Sequence, residues 1–243
     1  MIELRDFTIG FGDKKLIDNA NATIDGGSLT ALLGRNGSGK STLLRAIAGL
    51  NRCYEGTITV GGLDVATTPA PQLARALAFV STERTRIANL SCRDVVALGR
   101  APYTDWIGRL TKADRDIVDE SLEAVGMASY ADRTLDRMSD GECQRVMIAR
   151  ALAQTTPVIL LDEPTSFLDL PNRYELCRLL GRLACDHGKT ILYSTHELDI
   201  ALRLSDAIAL IDTPRLVCLP VDEMVAAGHI NRLFHLDLLD RKP

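Results

Sequence analysis

The chain has 243 residues, 46% of them hydrophobic and 25% charged, and its 28 Lys and Arg against 32 Asp and Glu give a formal net charge of −4. This composition excludes a disordered segment, a small disulfide scaffold and a polybasic nucleic-acid coat. A chain of this length buries a core without covalent staples.

The N-terminus, Met1-Ile2-Glu3-Leu4-Arg5-Asp6, carries acids where an export signal needs a basic start and an apolar run. No stretch reaches the roughly 18 uninterrupted apolar residues of a spanning helix. A cytoplasmic chain is therefore expected, with any membrane role exercised through a partner. Six cysteines, none spaced C-x-x-C, read as small buried or half-buried thiols in a reducing compartment.

Residues 2–4 and 7–9 alternate as short strands, broken by Gly10-Phe11-Gly12-Asp13. Residues 21–24 form a strand before the turn Asp25-Gly26-Gly27, and 29–33 are a short apolar run suited to a buried parallel strand. Residues 57–60 read as a further strand. From about 91 to 154 helical periods dominate, and a helix capped by Thr111 turns Ile117, Val118, Leu122 and Val125 to one side before ending at Gly126. Thr111-Lys112-Ala113-Asp114 resembles a guanine-reading motif, but it opens a helix instead of ending a buried strand, so it reads as an N-cap. Runs at 157–161, 191–194 and 207–211 are further buried strands, with helical segments between them such as 172–185. Alternating strands and helices predict an α/β fold with a parallel sheet, an inserted helical block and an N-terminal antiparallel part.

Gly34-Arg35-Asn36-Gly37-Ser38-Gly39-Lys40-Ser41 fits G-x-x-x-x-G-K-[ST] at every fixed position. It follows the run 29–33 and opens a helix beginning at Thr42, which is the context a phosphate-binding loop requires. The glycines let backbone N–H groups turn around phosphate oxygens, and the helix N-terminus adds partial positive charge. Lys40 is placed to reach the β and γ phosphates, and the Ser41 hydroxyl to ligate Mg²⁺.

The run 158–161 ends in Asp162-Glu163. A strand of this kind beside the P-loop strand puts Asp162 near the Mg²⁺ shell and leaves Glu163 to accept a proton from attacking water. Ser139-Asp140-Gly141-Glu142 is a capping box, and its helix N-terminus is also an anion site able to receive a γ-phosphate from another surface. His196, after the strand ending near Thr195, can stabilise charge and orient water beside that phosphate.

These pieces, in this order, resemble the ATP-binding subunit of ABC transporters over nearly the whole chain. Residues 34–41 match Walker A, Met138 to Glu142 the signature motif with Asp140 where the family most often has Gly, and Leu160-Leu161-Asp162-Glu163 Walker B with its catalytic Glu. Ser166-Phe167-Leu168-Asp169 matches the D-loop and His196 the switch His, while Phe11 sits where the family stacks an aromatic ring on adenine. The resemblance implies a P-loop NTPase (RecA-like) core spanning 1–243, with a helical subdomain at about 84–156. It implies ATP and Mg²⁺ as ligands, with Glu163, His196 and Lys40 acting on the reaction. Phe11, Gly34, Arg35, Asn36, Gly37, Ser38, Gly39, Lys40, Ser41, Thr42, Ser139, Gly141, Glu142 and Asp169 would hold nucleotide, and Ser41, Asp162 and Glu83 the metal. One element departs: in Phe79-Val80-Ser81-Thr82-Glu83 the usual Gln position holds Thr82, too short to reach a metal, and Glu83 follows.

The resemblance further implies a head-to-tail homodimer whose two ATP molecules lie between residues 34–41 of one copy and 139–142 of the other. There is one P-loop, no membrane span and no sustained heptad between Lys40 and Ser139, which separates the chain from fused exporters, tandem cassettes and coiled-coil heads. Too few residues follow His196 for the regulatory β-domain of sugar importers. Residues 95–103, with the helix after Lys112, look like the iron-chelate, haem and cobalamin importer ATPases. That implies a peripheral place on the inner face of the cell membrane, integral permease subunits as partners, a substrate-binding protein acting indirectly, and no nucleic acid. An ATPase of another transporter class, or an ATP-gated dimerisation switch for a soluble partner, is the alternative.

Overall fold

The computed structural model describes residues 1–82 and 89–234. In chain order the elements are β1 (Ile2–Phe11), β2 (Lys14–Ile24), β3 (Leu29–Gly34), α1 (Lys40–Ile47), β4 (Glu55–Val60), β5 (Leu63–Asp64), α2 (Ala70–Ala76) and β6 (Leu77–Val80). Then come α3 (Cys92–Ala97), a 3-10 turn (Leu98–Tyr103), α4 (Lys112–Ala124), α5 (Asp140–Ala153), β7 (Val158–Leu161), α6 (Leu170–His187) and β8 (Thr190–Ser194). The chain continues through α7 (Leu198–Leu204), β9 (Ala207–Asp212), β10 (Arg215–Pro220), α8 (Val221–Ala226) and α9 (His229–Phe234).

A six-stranded sheet runs β10-β9-β3-β8-β7-β6, with β9, β3, β8, β7 and β6 parallel and β10 antiparallel at one edge. A four-stranded antiparallel sheet runs β2-β1-β4-β5. The parallel strands read as unbroken apolar runs because both of their faces are covered. Leu29, Ala31, Leu33, Ile159, Leu161, Ile191, Tyr193, Ile208 and Leu210 face one core with the helices that follow β6. Leu32, Val158, Leu160, Leu192, Ala209 and Ile211 face the other, against α1, α2 and the antiparallel sheet.

Two expectations need adjusting. The N-terminal alternation is one strand, β1, which carries register shifts opposite β2 and a left-handed residue, Asp6, at φ 50°. The acidic strand β7 does not adjoin the P-loop strand β3, because β8 lies between them. Strand order in a parallel sheet is set by how the crossover helices pack, and that leaves no local mark in the sequence. The Thr111 N-cap is realised: its hydroxyl accepts from the Asp114 amide, and Asp114 bonds back to the Thr111 amide.

Candidate nucleotide site

The C-terminal ends of β3, β8 and β7 come out on one edge of the sheet, which is where open α/β sheets bind ligands. β3 ends at Gly34, where an added Cβ would lie 2.5 Å from Ser38 Oγ and 3.0 Å from the Ile211 carbonyl oxygen. The loop then needs left-handed backbone at Gly37 (φ 75°) and Gly39 (φ 104°), which glycine adopts without a Cβ penalty. Gly39 caps α1, and Lys40 and Ser41 are that helix's first residues.

Above the loop is a cavity of about 700 Å³ lined by Phe11, Lys14, Leu16, Asn36, Gly37, Gly39, Lys40, Ser41, Thr42, Glu163 and His196. The β1–β2 hairpin pairs Phe11 with Lys14, so the exposed ring stands at the cavity's rim. Lys40 is buried, and its Nζ donates to the carbonyl oxygens of Gly34 at 2.9 Å and Arg35 at 3.3 Å. Burial pushes the Lys40 ammonium below its ordinary pKa, against the pull of the Glu163 and Asp162 carboxylates. A phosphate oxygen in the cavity would restore the lost solvation of that cation.

Asp162 lies beneath this cavity in a hydrogen-bonded knot. Ser41 Oγ donates to its Oδ1 at 3.0 Å, Ser194 Oγ donates to the same oxygen at 2.7 Å, and Ser194 Oγ accepts the Glu163 amide at 2.8 Å. Ser194, the last residue of β8, thus joins both carboxylate residues. Its one mark in the sequence is a serine closing an otherwise apolar buried run. Thr82 Oγ1 donates to the Asp162 carbonyl at 3.0 Å, so the residue at the Gln position grips the backbone of the acidic turn. Glu83 lies outside the described residues.

Glu163 adopts φ 46°, a conformation a non-glycine residue holds only where its surroundings impose it, and its side chain reaches the cavity. His196 is exposed on the same wall. The remaining candidates stand elsewhere. Arg35 turns its side chain outward, with Nε and Nη2 donating to the Leu233 carbonyl at 3.2 and 2.7 Å. Ser38 is buried in the turn. Asp169 caps α6, accepting the Asn172 amide at 3.2 Å and its Nδ2 at 2.6 Å.

Ser139, Gly141 and Glu142 do not line the cavity. Ser139 is exposed at the start of α5, where its hydroxyl accepts the Glu142 amide and Glu142 Oε2 accepts the Ser139 amide at 2.8 Å. The Ser139 amide, then its hydroxyl, holds the Glu142 carboxyl below the usual carboxylate range. One chain therefore carries a phosphate cradle and, apart from it, a capped helix start facing solvent. Lys14 and Leu16 are cavity residues the sequence did not mark; they arrive only through the β1–β2 pairing.

The hard oxygen donors of Ser41 and Asp162 suit Mg²⁺. No group of three or more His, Cys, Asp or Glu residues among those described forms a closed, all-protein metal cage. Such a pair fits a cation that shares its remaining positions with phosphate and water.

The profile of the ABC transporter family matches residues 17–166. An iron(3+)-hydroxamate import ATP-binding protein of Bacillus subtilis is 39% identical over 81% of this chain and 73% of its own. A cobalamin import ATP-binding protein of Halobacterium salinarum is 35% identical over 86% of this chain and 52% of its own. A solved dimeric ATP-binding cassette, in a post-hydrolysis state with ADP and Pi, superposes with a TM-score of 0.76 at 26% identity, covering 91% of this chain and 99% of that one. With the family profile over more than half of the chain and relatives of this identity, the chain belongs to the ABC transporter family, as its ATP-hydrolysing subunit.

Proposed function

We propose that this chain binds ATP above its P-loop, closes head to tail on a second copy, and hydrolyses the nucleotide to power import of an iron chelate, haem or cobalamin through a membrane permease. The observation that carries this reading is the split site. Phe11, Lys40, Ser41, Glu163 and His196 share one cavity, whereas Ser139, Gly141 and Glu142 of the capping box do not line it and Ser139 is exposed. A twin subunit can bring its own capping box to the open side of the cavity, adding donors to the γ-phosphate only in the closed pair. ATP then favours closure, and loss of the γ-phosphate releases it.

In this reading Phe11 stacks on the base and Lys40 moves from the loop carbonyls to the phosphates. Ser41 and Asp162 hold Mg²⁺, which supplies charge neutralisation on the phosphate oxygens. Glu163 takes a proton from the attacking water, and His196 and the partner's helix start stabilise the charge that develops. Asp169 faces the twin. Thr82 takes no metal; its bond to the Asp162 carbonyl fixes the acidic turn instead.

A second, apolar groove of about 270 Å³ lies between α1, α2 and the end of α5, lined by residues that include Leu50, Leu73, Leu77, Phe79 and Gln154. It is the seat we assign to a cytoplasmic helix of the permease, with the helices of the 84–156 block beside it. In this reading the subunit works from the inner face of the membrane. No helix among the described residues is long and apolar enough to cross one. The importer class rests on the relatives named for iron(3+)-hydroxamate and cobalamin import.

Glu163→Gln tests the site. ATP binding is retained, turnover falls by about 100-fold or more, and a dimer accumulates with ATP on gel filtration. Unchanged turnover removes Glu163 as the base, and a strictly monomeric ATP-bound variant removes the shared site. Uptake of labelled iron chelate, haem and cobalamin in a deletion strain assigns the cargo.

A further inference from the structure

The loop 166–169 touches both halves of the split site. Ser166 Oγ lies 2.8 Å from the Glu163 carbonyl oxygen and 3.1 Å from Glu163 Oε2. Leu168 is packed so tightly against the start of α5 that a Cβ on Gly141 would meet its Cδ2 at 3.1 Å. Between these contacts, the Leu168 carbonyl accepts a 2.7 Å hydrogen bond from Arg173 Nε.

Arg173 makes a second connection. Its Nη1 lies 2.9 Å from Oε1 of Glu197, the residue after His196, in a pair whose side chains are 32% and 10% exposed. This is a close ion pair and not a well-aligned hydrogen bond. A carboxylate this buried is costly to leave without its cation. Helix stability does not account for the arginine, because a cation near the start of α6 opposes the helix dipole. Its two acceptors do: a planar guanidinium reaches a carbonyl on one edge and a carboxylate on another, which an ammonium cannot do in fixed geometry.

We propose that Arg173 is a positioning residue that ties the loop 166–169 to the His196–Glu197 segment. A displacement at the γ-phosphate wall is then carried through Glu197, Arg173 and Leu168 to Gly141 and the start of α5. In the closed pair that helix start serves the other nucleotide, so the clasp links the two ATP sites. The proposal rests on the split site described above.

The test uses the full-length chain, comparing Arg173→Gln, Arg173→Lys and the reversed pair Arg173→Glu with Glu197→Arg. Turnover, the Hill coefficient for ATP, monomer ATP affinity and the melting temperature are measured for each. Arg173→Gln is expected to lower kcat about tenfold and to bring the Hill coefficient toward 1, with monomer ATP affinity within about twofold of wild type. The reversed pair recovers much of the cooperativity. Arg173→Lys keeps the charge and serves where Gln lowers the melting temperature; it still loses cooperativity. Wild-type cooperativity in a folded Gln or Lys variant overturns the proposal, as does a loss of kcat that tracks ATP affinity. A Glu163→Gln chain that stays monomeric with ATP sinks the split site itself; one that dimerises while Arg173 variants stay cooperative sinks only the clasp.

Discussion

Phe11→Ala tests the base-stacking role proposed for the ring at the cavity's rim. The ring is 65% exposed, so its removal takes little from the folded core and the melting temperature should hardly move. Its place opposite the P-loop in the β1–β2 hairpin leaves a face free for a planar partner. One stacked face covers on the order of 50 Å² of apolar surface, about 1 kcal/mol by area alone. Base–aromatic stacking elsewhere brings the total to about 1–2 kcal/mol. That corresponds to a roughly 5- to 30-fold weaker Kd for ATP. Titration of a fluorescent adenine nucleotide reads the change, with Phe11→Tyr as the control that keeps the ring and the affinity. An unchanged Kd for Phe11→Ala would return the ring to turn packing, and an equal loss for Phe11→Tyr would show that the hairpin, not stacking, had been disturbed.

Two further outcomes follow from local geometry. Gly34→Ala drives a Cβ to 2.5 Å from Ser38 Oγ and 3.0 Å from the Ile211 carbonyl oxygen, so the loop must shift. We expect about 1–3 kcal/mol of destabilisation and loss of measurable ATP binding by calorimetry; normal binding would contradict the close approach. Asp114 has its carboxyl held down to about 2, first by the Thr111 hydroxyl, then by the Thr111 amide and the Arg100 guanidinium. Its native pKa lies below the unfolded one, so its stabilisation is present above about pH 4 and is lost as the pH falls toward 2. Asp114→Asn should remove up to about 2 kcal/mol near neutral pH and flatten that part of the urea-denaturation pH profile; an unchanged slope would refute the assignment.

The parts of the site that backbone geometry dictates were legible. The P-loop needs glycine where φ is positive and lysine at the helix start, and both appear at fixed spacing. The Ser139 and Thr111 caps were legible because a capping box closes within four residues. What sequence could not place depends on contacts between distant segments. Ser194 joins Asp162 to Glu163 because β8 pairs directly with β7, which brings the two strand ends together. Lys14 and Leu16 enter the cavity through strand pairing. Arg100 sits in an apolar stretch with no local sign of its partners, yet its Nε donates to Asp114 at 2.9 Å and its Nη1 to the Ala153 carbonyl at 2.8 Å. The D-loop and the switch His were visible as motifs, but Arg173 between them belongs to neither.

Arg35 gives the outer wall of the P-loop a hold on α9, through two donors to the Leu233 carbonyl. Anyone attaching a reporter or affinity handle close behind that helix is working next to the ATPase engine, although the position looks peripheral on a sequence map. A trimmed or fused tail that shifts Leu233 would present as a nucleotide-binding defect, and a linker long enough to leave α9 seated is the remedy.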